Sequence, residues 1–435
     1  MNRTFSLFAT LGLLALSLTG CFEDKCEQLM TYYSYNPVYL SMEEIRAGVQ
    51  TGPAQALKQP GKMYYKDGFL FISEVNKGIH VIDNTDPVNP TPVSFISVPG
   101  NLDIAAKGNI LYADSYLDLV VIDISNPSAA AEVGREQNVF PYGSWHNGLW
   151  ADSDSGIAID WVETEITEAM DCSNVGGSWS FGRNTFASQD LMLVSAAPNA
   201  SNSQFQSGTT NSAAAAGVGG SMARFTILNN YLYTVTFSDM IIFDLATMTD
   251  PVERNRINVG WDIETIFPRG NTLFLGGMTG MHIYSVDNPI APEFLSNIQH
   301  VQSCDPVVAD EEYAYVTIRD GNDCGGSVNQ LFIVDLKDLR NPVQIYTYNF
   351  FNPHGLGISG ETLFICDGDE GLKVYDATDV SSITAHQIAH FPNIHAFDVI
   401  PLGNVLLSIG EDGFYQYDYR DLTDIKLLSK IEVTP

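Results

Sequence analysis

A set of charged and imidazole side chains recurs at one place in a repeating pattern: Lys62, Asp103, Arg224, Asp262 or Glu264, Asp305, His354, and His395 with Asp398. Each stands near the start of a short apolar run. Gathered around a common centre, such groups would form a polar ring that binds a ligand or a cation. The same set could instead pair its opposite charges, Arg224 with Asp262 for example, around a wet channel. His354, His395 and one of Asp305 or Asp398 offer the nitrogen and oxygen donors that suit zinc or a similar divalent ion. Either histidine could also act as a general base. Their spacing follows the repeat and matches no known ligand motif, so a divalent cation is the one cofactor the sequence leaves open.

Two other features carry chemistry. Asp367-Gly368-Asp369-Glu370-Gly371 places three carboxylates in a glycine-rich turn. That composition suits calcium, but it also suits an exposed tight turn, and the twelve-residue EF-hand pattern is missing. Cys304 and Cys324 fall at the start of one strand and in the loop after its neighbour. Antiparallel neighbours bring those points to one rim, so a Cys304–Cys324 disulfide is expected, pinning the loop from Asp320 to Asn329. Cys366 reads as a buried small hydrophobe. Cys26 and Cys172 are left without a required partner. No nucleophile elbow, phosphate loop, CxxC or HExxH motif occurs.

Composition narrows the partners. The 435 residues carry 52 acidic and 21 basic side chains, a net charge of −31. Nucleic acid needs basic patches that displace counterions, so it is excluded as a partner. Docking on anionic lipid by charge is excluded for the same reason. Hydrophobic residues make up 45% and charged residues 17%, which fits a large folded core.

The elements that must position the polar set are repeats. Six runs of apolar residues end in aspartate, at Asp83, Asp123, Asp244, Asp335, Asp376 and Asp418; a seventh ends in Ser285. Asp83 to Asp123 is 40 residues, Asp244 to Ser285 is 41 and Asp376 to Asp418 is 42. Four short β-rich segments per period of that length predict a blade of four antiparallel strands. The fold class is therefore all-β, a β-propeller of seven blades, with eight as the alternative. The innermost strand of each blade, strand A, would line the central channel, which places the polar set at the channel mouth. The aspartate closing each third strand is expected to accept hydrogen bonds from its turn.

Leu119-Val120-Val121-Ile122-Asp123 and Leu331-Phe332-Ile333-Val334-Asp335, each followed by a proline, resemble the LVIVD repeat of bacterial surface proteins. The likeness runs over about residues 60 to 435. It implies a propeller and no defined biochemical role.

Arg3 is the only charge in the first twenty-two residues, and an apolar run from Phe8 to Leu18 follows it. Leu18-Thr19-Gly20-Cys21 resembles a bacterial lipobox, which would make residues 1–20 a lipoprotein signal peptide and Cys21 the lipidated first residue. Acyl chains such as palmitate would then hold the protein to a membrane. Phe22-Glu23-Asp24-Lys25 resembles the acidic export signal of Bacteroidetes-type lipoproteins. The expected location is the outer membrane, at the cell surface.

Residues 21–60 read as a lipidated tether with a short helix, signalled by the capping box Ser41-Met42-Glu43-Glu44. The propeller takes 61–435, interrupted by an insertion at about 135–220. The insertion is expected to be an extended hairpin on the second blade, or a degenerate eighth blade. Its end, 195–220, is rich in Ser, Ala, Asn and Gly and reads as a mobile loop. Trp145, Trp150, Trp161 and Trp179 within it would suit sugar or protein contacts.

The functional expectation is a monomeric binding or interaction module whose partner is a polysaccharide or another envelope protein, with no catalytic residue assigned. The rival class is a hydrolase or lyase acting at the polar channel mouth.

Overall fold

The computed structural model describes residues 27–141, 145–146, 149–150, 155–171, 216–261, 263–299, 306–320 and 328–434. Seven sheets each contain four consecutive antiparallel strands, named A to D from the inside out. Blade 1 is Pro60–Lys66, Phe69–Glu74, Gly78–Asp83 and Thr91–Ser97. Blade 2 is Ile104–Lys107, Ile110–Ser115, Asp118–Asp123 and Ala131–Glu136. Blade 3 is Phe225–Leu228, Tyr231–Val235, Asp239–Asp244 and Val252–Asn258. Blade 4 is Ile263–Arg269, Thr272–Gly277, Gly280–Ser285 and Glu293–Gln299. Blade 5 is Val307–Ala309, Tyr313–Ile318, Gln330–Asp335 and Val343–Asn349. Blade 6 is Leu356–Ser359, Thr362–Cys366, Leu372–Asp376 and Gln387–Phe391. Blade 7 is Ala396–Leu402, Val405–Gly410, Gly413–Asp418 and Lys426–Glu432.

The apolar runs read in the sequence are the C strands. Leu119, Val120, Val121 and Ile122 are fully buried, because a central strand is covered on both faces by neighbouring blades. The aspartate that follows each run turns the chain. Asp83, Asp123, Asp244, Asp335, Asp376 and Asp418 each accept the backbone N–H two residues on, at 2.8–3.1 Å. Ser285 does the same with its hydroxyl oxygen, at 3.2 Å from Asp287 N. Every C–D pair carries a register shift. Such bulges bend the outer strand and raise the local twist, which a ring of radial sheets requires.

One blade cannot bury both its faces alone, so the core lies between blades. Continuous apolar clusters join blades 1, 2 and 3, blades 3 and 4, blades 4, 5 and 6, and blades 6 and 7. A fifth cluster packs Met63, Leu70 and Ile72 of blade 1 against Ile400, Leu407 and Phe414 of blade 7, so the ring closes. Polar ties repeat at the same place. Side chains on D strands donate to a carbonyl in the next blade's C–D turn: Ser94 to Pro127, Ser296 to Leu339, Tyr348 to Val380 and Ser429 to Pro87, at 2.5–2.7 Å. The last of these spans the seam between blade 7 and blade 1.

Helix α1, Met42–Ala47, precedes blade 1 with its capping box formed, Ser41 and Glu44 bonding reciprocally. Arg46 from this helix reaches the buried Asp118 of blade 2 at 2.7 Å. Gln50–Pro53 then adds a fifth strand to the outer edge of blade 1. A separate two-stranded unit pairs Glu27–Leu40 with Ile157–Asp171. Among the described residues of the insertion, Ile157–Asp171 pairs with Glu27–Leu40 and not with a strand of blade 2. This long strand takes its hydrogen bonds from the segment read as a tether, a pairing between residues more than a hundred positions apart.

Candidate functional site at the channel mouth

Strand A runs from one face of the ring to the other, and strand B returns. The starts of A strands, the B–C turns and the ends of D strands therefore share one face. On this face Lys62, Asp103, Asp114 and Arg224 form a network. Lys62 Nζ lies 3.0 Å from Asp103 Oδ2, with both side chains buried. The same carboxylate accepts the backbone N–H of Arg224 at 2.5 Å and of Ile104 at 2.7 Å. The Arg224 guanidinium pairs with Asp114 Oδ2 at 3.0 Å. Burial pushes Lys62 down to about 8, with Asp103 holding the proton on and Arg224 opposing it. Burial also raises the Asp114 carboxyl, although Arg224 and the N–H groups of Leu102 and Asp103 favour its charged form.

The other predicted groups that the structure describes have these surroundings. Asp398 is buried and accepts both the N–H and the hydroxyl of Ser221, at 3.2 and 3.1 Å. Glu264 is buried in strand A of blade 4. The His354 and His395 rings stand 6.1 Å apart, centroid to centroid, and both touch Phe397. His354 is held well below the ordinary histidine range by burial, then by Arg319 and His395. His395 is partly exposed, with Nδ1 2.5 Å from Asp369 Oδ1 and 3.7 Å from Glu411 Oε2. Among the described residues, no three His, Cys, Asp or Glu side chains converge in a way that could hold a metal ion. Asp262, Asp305, Cys304, Cys324, Cys21, Cys26, Cys172 and Trp179 lie outside the described residues, as do the side chains of Trp145 and Trp150.

The acidic turn of blade 6 is engaged by its own chain. Asp367 is fully buried and takes the N–H of Asn352 at 2.8 Å and the Lys373 ammonium at 2.6 Å. Glu74 and Asp114 do the same job in blades 1 and 2, accepting N–H groups of residues 58–59 and 102–103. A carboxylate at the end of strand B thus fastens the stretch leading into strand A. The signal was present as one acid ending an apolar strand: Ile72-Ser73-Glu74, Tyr112-Ala113-Asp114, Ile365-Cys366-Asp367. Cys366 itself is buried and unpaired.

The channel is not open between these groups. Residues 216–224 run along it from the far face to the mouth. Ala216 bridges Lys107, and Gly217 N donates to Ala106 O at 2.9 Å. Val218 and Gly219 pair with Tyr65 and Tyr64 as an extra strand inside blade 1. The Ser221 hydroxyl accepts the N–H of Leu356 in blade 6 at 2.8 Å, and Ala223 O accepts that of Ile266 in blade 4 at 2.7 Å. One short segment can reach the innermost strands of blades 1, 2, 4, 6 and 7 only from within the ring. Ser221, Met222 and Ala223 are accordingly buried. The fit demands glycine: a Cβ on Gly220 would stand 1.9 Å from Asp398 Oδ2, and one on Gly217 would stand 2.4 Å from Tyr64 Cε1. The expectation of a mobile loop over 195–220 fails for this described end, because Gly and Ser were selected by close approach and not by flexibility.

The mouth face also bears exposed aromatics. Phe237, in the B–C turn of blade 3, and Trp261, just before blade 4, are 55% and 74% exposed. Their rings meet edge to face, 5.9 Å between centroids.

Residues 101–137 match the family model of the LVIVD repeat. That stretch carries an LVIVD repeat. The matched residues are blade 2 with its approach, and the repeat's apolar core is the buried C strand ending in the turn-making Asp123. No curated protein matches the chain. Among solved structures it is similar to BamB from Moraxella catarrhalis, at 9% identity, covering 89% of this chain and 97% of that one with a TM-score of 0.45. It is also similar to Hsv2 of Kluyveromyces lactis, at 9% identity over 86% and 100% of the two chains with a TM-score of 0.47. Sqt1 of Saccharomyces cerevisiae gives 8% identity over 92% and 89%, with a TM-score of 0.49.

Proposed function

We propose that this propeller is an interaction module of the bacterial cell envelope, anchored in the outer membrane through lipid on Cys21 and facing outward. Its partner is a polysaccharide or another envelope protein. The observation that carries this reading is the Phe237–Trp261 pair, two large apolar rings held in water on the mouth face. Exposed aromatics fixed on a rigid scaffold are what sugar faces and protein side chains pack against. Arg224, partly exposed on the same face, supplies a charge for orientation.

The inner carboxylates support the same reading, since Asp103, Asp114 and Asp398 hold the chain's own N–H groups and cations. The test compares wild type with Phe237→Ala/Trp261→Ala for binding to the polysaccharide and protein fractions of bacterial envelopes, each immobilised. Binding by wild type, weakened tenfold or more in the variant, supports the proposal. Wild-type binding to neither fraction, or equal binding by the variant, overturns it.

One observation favours the rival class. His395 Nδ1 is oriented by Asp369 at 2.5 Å, which would present its other ring nitrogen as a general base for a hydrolase or lyase. Turnover of an envelope ester or glycan that disappears in His395→Ala would select that reading.

A further inference from the structure

We infer that residues 216–224 close the ring, as an internal staple across the seam between blade 7 and blade 1. The seam is the weak point of a propeller built only from consecutive strands. Each of the seven blades takes A to D in order, and among the described residues no strand from the C-terminal end joins the sheet of blade 1. What crosses directly is the apolar cluster of Met63, Leu70 and Ile72 with Ile400, Leu407 and Phe414, the Ser429 hydroxyl bonding Pro87 O at 2.7 Å, and a few further bonds. There is one parallel bridge, Leu57 to Val433, and a bond from Thr434 N to Leu57 O at 2.7 Å. Deeper in, the amides of Asn84 and Gln416 bond reciprocally at 2.9 and 2.7 Å.

The channel segment adds ties from the inside, where the described residues place no other strand at the seam. Within four residues it pairs with Tyr65 and Tyr64 of blade 1 and bonds Asp398 of blade 7. Its Ser221 hydroxyl then continues to blade 6, and Arg224 N to Asp103 of blade 2. The two blades flanking the seam, and the blade beyond each, thus share one short piece of backbone that belongs to neither side. Because the segment fills the channel, the ring must shut around it, and recognition is confined to the outer surface and the rim.

Hydrogen–deuterium exchange on the full chain tests this. The variants are Ser221→Ala, which removes the hydroxyl's bonds to Leu356 N and Asp398 and leaves the Ser221 N–H bond to Asp398, and Gly220→Val, whose side chain would collide with Asp398. The staple predicts that amides of Pro60–Lys66 and Ala396–Leu402 exchange at least tenfold faster in Ser221→Ala, while those of Gln330–Asp335 in blade 5 keep the wild-type rate. Gly220→Val gives a larger change of the same pattern, or an open, protease-sensitive seam. Faster exchange confined to the segment, or an equal rise in every blade, overturns the inference. Should Gly220→Val fail to fold, Ser221→Ala decides alone.

Discussion

Replacing Asp103 by alanine tests the mouth network most sharply. The carboxylate is buried and serves three donors: Lys62 Nζ at 3.0 Å, Arg224 N at 2.5 Å and Ile104 N at 2.7 Å. Lys62 is buried with it, so Asp103→Ala strands an ammonium in the interior and leaves two N–H groups without their acceptor. Breaking a buried ion pair from one side costs about 3–5 kcal/mol. Removing both charges is much milder, because packing replaces a pair whose attraction was offset by desolvation. Asp103→Leu/Lys62→Met should therefore recover about 2 kcal/mol or more of the loss. The assay is the guanidinium chloride midpoint at pH 7, with the slope checked for constancy. An Asp103→Ala protein as stable as wild type, or a double variant no better than Asp103→Ala, would refute the assignment of this pair as buried and coupled.

Two further outcomes concern pH. Lys62 sits at about 8 in the folded protein against an ordinary value of 10.5. Between those values the unfolded chain still holds the proton after the folded one has released it, so stability rises with pH across that window, by at most about 1.4 kcal/mol per unit. Lys62→Met removes that rise, which denaturation midpoints at pH 8 and 10 will register as a smaller difference. Asp118 behaves oppositely. Burial raises its carboxyl, but hydrogen bonds from Arg46, Asn138 N and Arg135 outweigh this and hold it below its ordinary 3.8. Its contribution is complete above pH 4 and is lost as pH falls through the lowered folded value. Asp118→Asn should destabilise at pH 7 and flatten the acid limb of the stability profile.

The blades were legible in the sequence because they are local. A C strand must be apolar on both faces, its turn needs an Asx acceptor, and both demands fall within six or seven residues, as in Leu119 to Asp123. The capping box at Ser41 was readable for the same reason. What could not be read was non-local. The partner of Ile157–Asp171 is Glu27–Leu40, far away in sequence, and periodicity carries no information on which edges meet. The channel segment was misread because close packing and flexibility select the same residues. Gly217, Gly219, Gly220 and Ser221 resemble a linker until Tyr64 and Asp398 are placed against them. Of the polar set, Lys62, Glu264 and Asp398 fall within A strands, and Arg224 meets Asp114, an acid from the end of strand B that was not among the residues singled out; Asp262 and Asp305 lie outside the described residues.

The passage of the chain through its own ring is the claim from which the rest follows. Val218 and Tyr65 are directly opposed in an antiparallel pair, at a separation a disulfide can span. Tyr65→Cys/Val218→Cys, oxidised and mapped by peptide mass spectrometry, should yield a linked pair of peptides containing residues 65 and 218 while the protein stays folded. Both thiols alkylating freely in the folded, oxidised protein, with no such link, would contradict the account.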